Sequence, residues 1–531
     1  MTSTDFVSRL GVRMAKGRGI IVIGAGVGGL VTALLSAASG FDTLVIERSA
    51  APGGKLREID AEGRPVDVGP TVFTMRGVFE EIFASAGAEL KDYLTLTPAL
   101  RLARHAWASG GRLDLFGDIE ANVEAIGDFA GPHDARGYRA FAERSARVYT
   151  TLRDSFIRAS LPNPLSLTTR IGVRGLPDLL AISPYAILWD TLGEHFADPR
   201  LRQLFARYAT YCGSSPYLCP ATLMLVSHVE REGVWSVNGG MRRIADALRE
   251  LATKRGARFL FGTEVSRILV EGGRAAGVVT ATGERLPADA VVFNGDVSAL
   301  SAGLLGPGVR RAAPATEPER RSLSAVTWAG SAEVEGFDLI RHNVFFGPDY
   351  VEEFDAIFKH RRLPRTPTVY VCASDRLDDP PSSHNAERLF CLINAPAEDG
   401  ASLSSKEIES CLNVAKGLME NCGLKIRWRT QTRSTPSDFA RLYPATGGAL
   451  YGPASHGWKA SFQRAGTRTR VPRLYLAGGS AHPGPGVPMA ALSGRQAALC
   501  LISDLASTNK YLPAAMFGGT STRSATTASS D

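Results

Sequence analysis

Residues 20–38, IIVIGAGVGGLVTALLSAA, constrain the chain more than any other stretch. The run is uncharged and long enough to imitate a membrane span, but Gly24, Gly26, Gly28 and Gly29 interrupt it early. That pattern suits a short buried strand (Ile20–Ile23), a tight turn and a new helix (Gly29–Ser39), with a returning parallel strand over Thr43–Ile46. Gly24, Gly26 and Gly29 then form G-x-G-x-x-G between strand and helix. The first glycine makes the turn, the second lets backbone approach a pyrophosphate, and the third lets helix and strand pack closely. Unpaired N–H groups around Val27 and Gly28 at the helix N-terminus would receive the phosphates. Glu47, closing the second strand, is placed to take the ribose hydroxyls of an adenosine.

The remaining bulk properties exclude more than they assign. At 531 residues with 44% hydrophobic and 21% charged side chains, the chain has the composition of an ordinary globular protein of two or three associated domains. Its net charge of +7 suits an anionic cofactor or an acidic lipid surface. The excess is not gathered into basic blocks interleaved with aromatics, so nucleic acid is not an expected partner. Seven cysteines, without a C-x-x-C pair or a histidine at ligand spacing, read as reduced thiols of a cytoplasmic chain with no metal.

Periodicity divides the rest. Residues 1–18 form a loose leader and 19–100 the βαβ unit with the first cofactor segments. Residues 101–230 carry a helical region, with Tyr138, Phe141, Ala142, Ser145 and Val148 on one face of a helix beginning near Pro132. Over 231–300 an alternating meander turns at Gly272-Gly273 and Thr282-Gly283 and returns to a buried strand, Ala290–Phe293. A mixed segment fills 301–470. Residues 471–506 offer a last short strand (Arg473–Ala477), a Gly/Pro-rich loop and a helix from about Met489. The Gly/Ser/Thr-rich remainder, 507–531, is expected to be mostly disordered.

A second glycine turn, Pro52-Gly53-Gly54-Lys55, follows Glu47-Arg48 and would bring backbone and cationic side chains to the same cofactor. This turn resembles the extended FAD fingerprint of the amine oxidase and carotenoid desaturase superfamily. PVDVGPTVFTMRGVFEEIF from Pro65, LFARYATYCGSSPY from Leu204, GVWSVNGGMRRIADAL from Gly233, ADAVVFNGD from Ala288 and AHPGPGVP from Ala481 extend the likeness over residues 19–505. The chain resembles the bacterial phytoene-desaturase-type family, and most closely its 1-hydroxycarotenoid 3,4-desaturase branch. The resemblance implies an α/β fold: a Rossmann-type FAD-binding domain, an antiparallel-sheet substrate domain, and an inserted helical lid or membrane-binding region. It also implies that the Gly69-Pro70-Thr71 turn and Asp296 lie by the FAD, that the Val265 backbone meets the adenine, and that Gly479 approaches the phosphates. The Val487-Pro488-Met489 turn would offer backbone N–H to the flavin carbonyl, at a helix N-terminus that stabilises the negative charge of reduced flavin.

The activity so implied is loss of a hydride and a proton from C4 and C3 of a 1-hydroxy or 1-methoxy acyclic carotenoid. Positive character at C4 would spread along the polyene, so little acid–base help is needed and no catalytic residue is assigned. His482, Tyr443, His456 and Asp296 are the groups to inspect for proton handling. The lipophilic substrate implies a peripheral contact with the inner membrane, through Leu161–Leu192 or by way of a helical lid formed there. Phytoene or neurosporene desaturation, carotenoid isomerisation, amine oxidation and a GDI-like lipid escort remain as alternatives.

Overall fold

The computed structural model of the protein describes residues 19–160, 182, 185–376, 386–398 and 403–509. The expected leader, most of the expected tail, and Arg170, Ile171, Arg174, Leu176, Leu179 and Leu180 of the expected lid or membrane segment lie outside the described residues.

Strand β1 (Gly19–Ile23), helix α1 (Val27–Ala38) and strand β2 (Asp42–Ile46) form the expected βαβ unit, with Ile20 paired to Thr43 and Ile23 to Ile46 in parallel register. The helix begins two residues earlier than the sequence suggests, because Gly26 serves as its N-cap and Gly28 and Gly29 lie inside the first turn. β1 is the middle of a five-stranded parallel sheet flanked by β2 and Arg258–Leu260 on one side and by Ala290–Phe293 and Leu474–Leu476 on the other. A central parallel strand is buried on both faces and reads as continuous apolar sequence. Accordingly Ile20 and Val22 pack into a core with α1 and the C-terminal helix, while Ile21 and Ile23 pack with the meander Val265–Thr280 on the opposite face.

α1 crosses the C-terminal helix, Val487–Asn509, at near-backbone contact. A Cβ on Gly494 would stand 2.2 Å from the Gly28 carbonyl oxygen. The Thr32 hydroxyl donates to that carbonyl (2.8 Å) or to that of Gly494, 3.0 Å away. One end of the chain thus locks the other around the parallel sheet.

The second body is a larger mixed sheet of eight strands. Ser324–Glu335, Glu387–Ala395, Val369–Ala373 and His342–Phe346 run antiparallel to one another, and Arg101–Trp107 joins His342–Phe346 in parallel. Alternation assigns its faces: Val369, Val371, Leu389 and Cys391 enter a core beneath helix Ser405–Asn421, whereas Tyr370, Phe390 and Leu392 face a cavity. Against it stands a helical region whose core is aromatic, with Phe141 and Phe205 rings 4.8 Å apart. Tyr138, Phe141, Ala142, Ser145 and Val148 on helix Pro132–Leu152 are all buried, as their spacing requires.

Candidate functional site

A continuous cavity of about 1180 Å³ runs between the parallel sheet and the large sheet. Its first end is built by glycine. Gly24 adopts φ +99, the turn conformation expected of the first glycine, and a Cβ on Gly29 would stand 2.1 Å from the Gly24 carbonyl oxygen. Gly24, Gly26, Val27 and Gly28 line the cavity; Gly29 does not, and serves packing alone. The N-terminus of α1 has no side-chain cap and no acidic residue in its first turn, which leaves its dipole and N–H groups directed at the cavity.

The second glycine turn docks onto the first. Gly53 donates its N–H to the Ala25 carbonyl (2.9 Å), and a Cβ on Gly54 would meet the Gly26 Cα at 3.1 Å. Glu47 ties the same loop: one carboxylate oxygen accepts from the Ala25 N–H (2.7 Å) and the other from Ser49 (2.8 Å), leaving further lone pairs for hydroxyl donors. Arg48 donates to the Leu442 carbonyl and Lys55 to that of Leu450, so both cations anchor the facing loop. The Lys55 ammonium also lies 5.2 Å from the centre of the Tyr443 ring.

Every other residue assigned to the cofactor lines this cavity: Gly69, Pro70 and Thr71, Val265, Asp296, Gly479, and the Val487-Pro488-Met489 turn. The Thr71 hydroxyl is engaged elsewhere, 2.7 Å from the Tyr370 hydroxyl, which in turn meets His342 Nδ1 at 2.7 Å. One Asp296 oxygen accepts from the Ser298 N–H at 2.9 Å, capping the following turn.

Of the groups inspected for proton handling, Tyr443 and Asp296 line the cavity while His482 and His456 do not. His482 is fully buried with Nε2 2.9 Å from the Phe156 carbonyl, and its ring stands edge-on to Phe156. His456 Nε2 accepts from the Ser215 N–H, and burial pushes its imidazole down to about 4. Both histidines orient backbone.

Two important residues escaped the sequence reading. Asn294 stands at the C-terminal end of strand Ala290–Phe293, where ligands bind in open parallel sheets. Cβ atoms on Gly26, Gly28, Gly29 and Gly478 would all come within 3 Å of its amide, whose Nδ2 donates to the Ala477 carbonyl while Oδ1 is buried without a partner. Its place at the end of a predicted strand was a usable signal. Arg464 had none, since its guanidinium donates to the carbonyls of Tyr451, Pro453 and Gly479, brought together only by folding. Burial pushes Arg464 down to about 10 and pushes the Lys55 ammonium down as well, with Asp296 opposing both shifts.

These features fit a bound dinucleotide flavin. An uncapped helix N-terminus, a backbone cradle that Cβ atoms would fill, an unpartnered Arg57 Nη1, and the cations Lys55 and Arg464 against the one carboxylate of Asp296 call for an anionic ligand, and the unpartnered Asn294 Oδ1 calls for a donor on that ligand. Among the described residues no group of His, Cys, Asp and Glu is arranged to hold a metal ion.

The other end of the cavity is carbon-lined, with Leu152, Ile157, Leu223, Val226, Val344 and Leu392 among its walls. Its mouth carries Tyr185, Trp458 and Phe462. Among the described residues no helix is long and apolar enough to cross a membrane.

Comparison with known proteins agrees with this geometry. The family model described as flavin containing amine oxidoreductase matches residues 27–502. The hydroxyneurosporene desaturase of Rubrivivax gelatinosus is 53% identical over 96% of this chain and 98% of its own; that of Cereibacter sphaeroides is 44% identical over 92% and 99%. Among solved structures, cyclohexylamine oxidase from Brevibacterium oxydans (TM-score 0.55, 16% identity, covering 92% of this chain and 99% of its own) and a fatty acid isomerase from P. acnes (0.52, 13%, 92% and 99%) share the fold. The chain belongs to the flavin containing amine oxidoreductase family, within its carotenoid desaturase branch, and FAD is its cofactor.

Proposed function

We propose that the protein introduces the C3–C4 double bond into 1-hydroxy or 1-methoxy acyclic carotenoids. The observation that carries this is the continuity of the cavity: a glycine-built polar end opens without interruption into a long carbon-lined one. The relatives named hydroxyneurosporene desaturase support the choice of substrate.

FAD, when bound, supplies the hydride acceptor. The chain's own residues do the rest. Gly24, Gly26, Gly53 and Gly54 bring backbone against the cofactor, Glu47 offers carboxylate oxygens, and Lys55 with Arg464 balances negative charge. Val487, Pro488 and Met489 present the start of a helix, whose dipole favours a reduced, anionic cofactor. Leu223, Val226, Val344 and Leu392 exclude water and hold the polyene extended. Because positive character at C4 is shared by the conjugated chain, positioning supplies most of the rate.

Purified, FAD-loaded protein incubated with liposomes containing 1-hydroxyneurosporene is expected to give a product lacking two hydrogens, with a red-shifted visible spectrum. Phytoene in parallel should be unchanged. Conversion of phytoene instead would move the protein to the sister desaturases, and turnover of neither would remove the substrate assignment.

The same proposal places the cavity mouth on a lipid surface. Tyr185 is 70% exposed and Trp458 38%, their rings meet edge to face at 5.2 Å, and Leu218 (41% exposed) adjoins them. Lys459 lies over the Trp458 ring, giving an aromatic rim with a cationic edge, the composition favoured at membrane interfaces. Tyr185→Ser together with Trp458→Ser is expected to lower partition onto anionic liposomes by about tenfold in a flotation assay. FAD content should be unchanged, and undiminished flotation would place the membrane contact elsewhere.

A further inference from the structure

Beyond the cofactor, the carbon-lined part of the cavity contains a buried ionic cluster among the described residues. Arg207 and Tyr211 lie on the 3-10 helix Arg207–Cys212, and Glu230 lies on helix Leu225–Arg231; all three line the cavity. Arg207 is 7% exposed and Glu230 4%. The Arg207 Nη1 donates to the Tyr211 hydroxyl, which donates to Glu230 Oε1 at 2.8 Å, while the Tyr208 hydroxyl donates to Glu230 Oε2. Glu230 Oε1 also stands 3.7 Å from Arg207 Nη2. Glu230 is therefore fully engaged, but Nε and Nη2 of Arg207 are buried with no hydrogen-bond partner.

Buried donors left without acceptors are costly, and on the wall of a ligand cavity they define what the ligand must bring. The charge of Arg207 is already balanced by Glu230, so the missing partner is a neutral acceptor oxygen rather than a carboxylate or phosphate. A hydroxyl and a methyl ether both supply one, and neither needs to donate. We infer that Arg207, held in place by Tyr211 and Glu230, is the specificity determinant that receives the C1 oxygen of the substrate.

This inference rests on the proposed desaturation at C3–C4, and the reaction itself constrains it. C1 and C4 are three carbon–carbon bonds apart, about 4 Å, so the oxygen-binding group must sit beside the redox centre and not at the far end of the tunnel. The Arg207–Cys212 helix is joined at its C-terminal end to the cofactor-lined part of the same cavity. It is followed by Gly213, whose Cβ would stand 2.6 Å from the Tyr451 ring, and the Tyr451 carbonyl accepts from Arg464, which also reaches the Gly479 carbonyl of the C-terminal glycine loop.

The test compares 1-hydroxyneurosporene with neurosporene, which lacks the oxygen, in the FAD-loaded wild type and in the charge-balanced Arg207→Gln/Glu230→Gln variant. The wild type should prefer the hydroxylated substrate by at least about a thousandfold in kcat/KM. The variant should lose about a hundredfold on that substrate and keep its value for neurosporene within about twofold, so that discrimination falls by about a hundredfold. FAD stoichiometry, read by flavin absorbance, should stay at the wild-type value. Tyr211→Phe, which removes one hydroxyl and no charge, provides the same readout should the double variant not fold, with an expected loss of about tenfold on the hydroxylated substrate alone. A variant that retains FAD and undiminished discrimination overturns the assignment of Arg207 and leaves the desaturase assignment intact. A wild type that converts the hydroxylated carotenoid no better than neurosporene overturns both.

Discussion

Alanine in place of Gly29 is expected to give a protein that does not retain FAD through gel filtration and melts well below the wild type. The added Cβ would stand 2.1 Å from the Gly24 carbonyl oxygen and 2.9 Å from Asn294 Oδ1. Overpacking a core that can adjust costs about 1–3 kcal/mol. Here the obstacle is main chain: Gly24 holds φ +99 at the glycine-built end of the cavity, between β1 and the turn into α1. Relief would require α1 to move away from β1, but α1 is pinned on its other side by the C-terminal helix at Gly28 and Gly494. The strain should therefore appear in the cofactor cradle as well as in stability. Gly417→Ala on helix Ser405–Asn421 is the control, because its Cβ meets nothing within 4 Å and alanine is the better helix former by about 0.5–1 kcal/mol. That variant should melt at or above the wild-type temperature with full FAD. Full FAD in Gly29→Ala would show that the close packing of β1 against α1 is not what shapes the site.

The contrast between these glycines shows why so much of the site was legible before folding. A strand, a glycine turn and a helix are local, so Gly24, Gly26, Gly28 and Gly29 announce their geometry within a few residues, and the buried strand Ala290–Phe293 does so by composition. The expectation that Gly53-Gly54 reaches the same cofactor could be formed because the second turn resembles a known fingerprint, but its direct docking on Ala25 and Gly26 appears only in the fold. What could not be read depends on contacts between distant segments. Arg464 looks like any surface arginine until three carbonyls from two distant loops enclose it. Arg207 sits in the quoted LFARYATYCGSSPY segment, yet nothing local distinguishes a cation that is buried against Glu230 from one that is solvated. The large sheet shows the same limit: Arg101–Trp107 pairs with His342–Phe346 across more than two hundred residues, and its alternating faces acquire meaning only when one is covered by helix Ser405–Asn421 and the other opens on the cavity.

Titrating FAD into the deflavinated protein is expected to show affinity that falls on the alkaline side, and Lys55→Met should abolish that fall. Burial pushes the Lys55 ammonium below its ordinary value, the Arg464 guanidinium pushes it further down, and Asp296 opposes them. An anionic cofactor placed beside it adds a favourable partner and raises its pKa in the complex above that of the free protein. Binding is then linked to proton uptake. The full contribution is present below the pKa of the free protein, declines as pH rises through the interval between the free and bound values, and is absent above the bound value. Arg464, pushed down only to about 10, stays charged over the neutral range and contributes an attraction that does not vary there. Hydrogen bonds to charged groups are worth about 1.5–3 kcal/mol, so Lys55→Met should raise the Kd for FAD by about tenfold to a hundredfold on the low-pH side of that interval. Wild type and variant should converge at high pH, because the wild-type lysine is neutral there and the variant has nothing to lose. Fluorescence quenching of free FAD gives both curves without any turnover. Parallel curves displaced by a constant amount would mean that Lys55 acts through packing against Leu450 and Tyr443, and that the charge opposite the cofactor belongs to Arg464 alone.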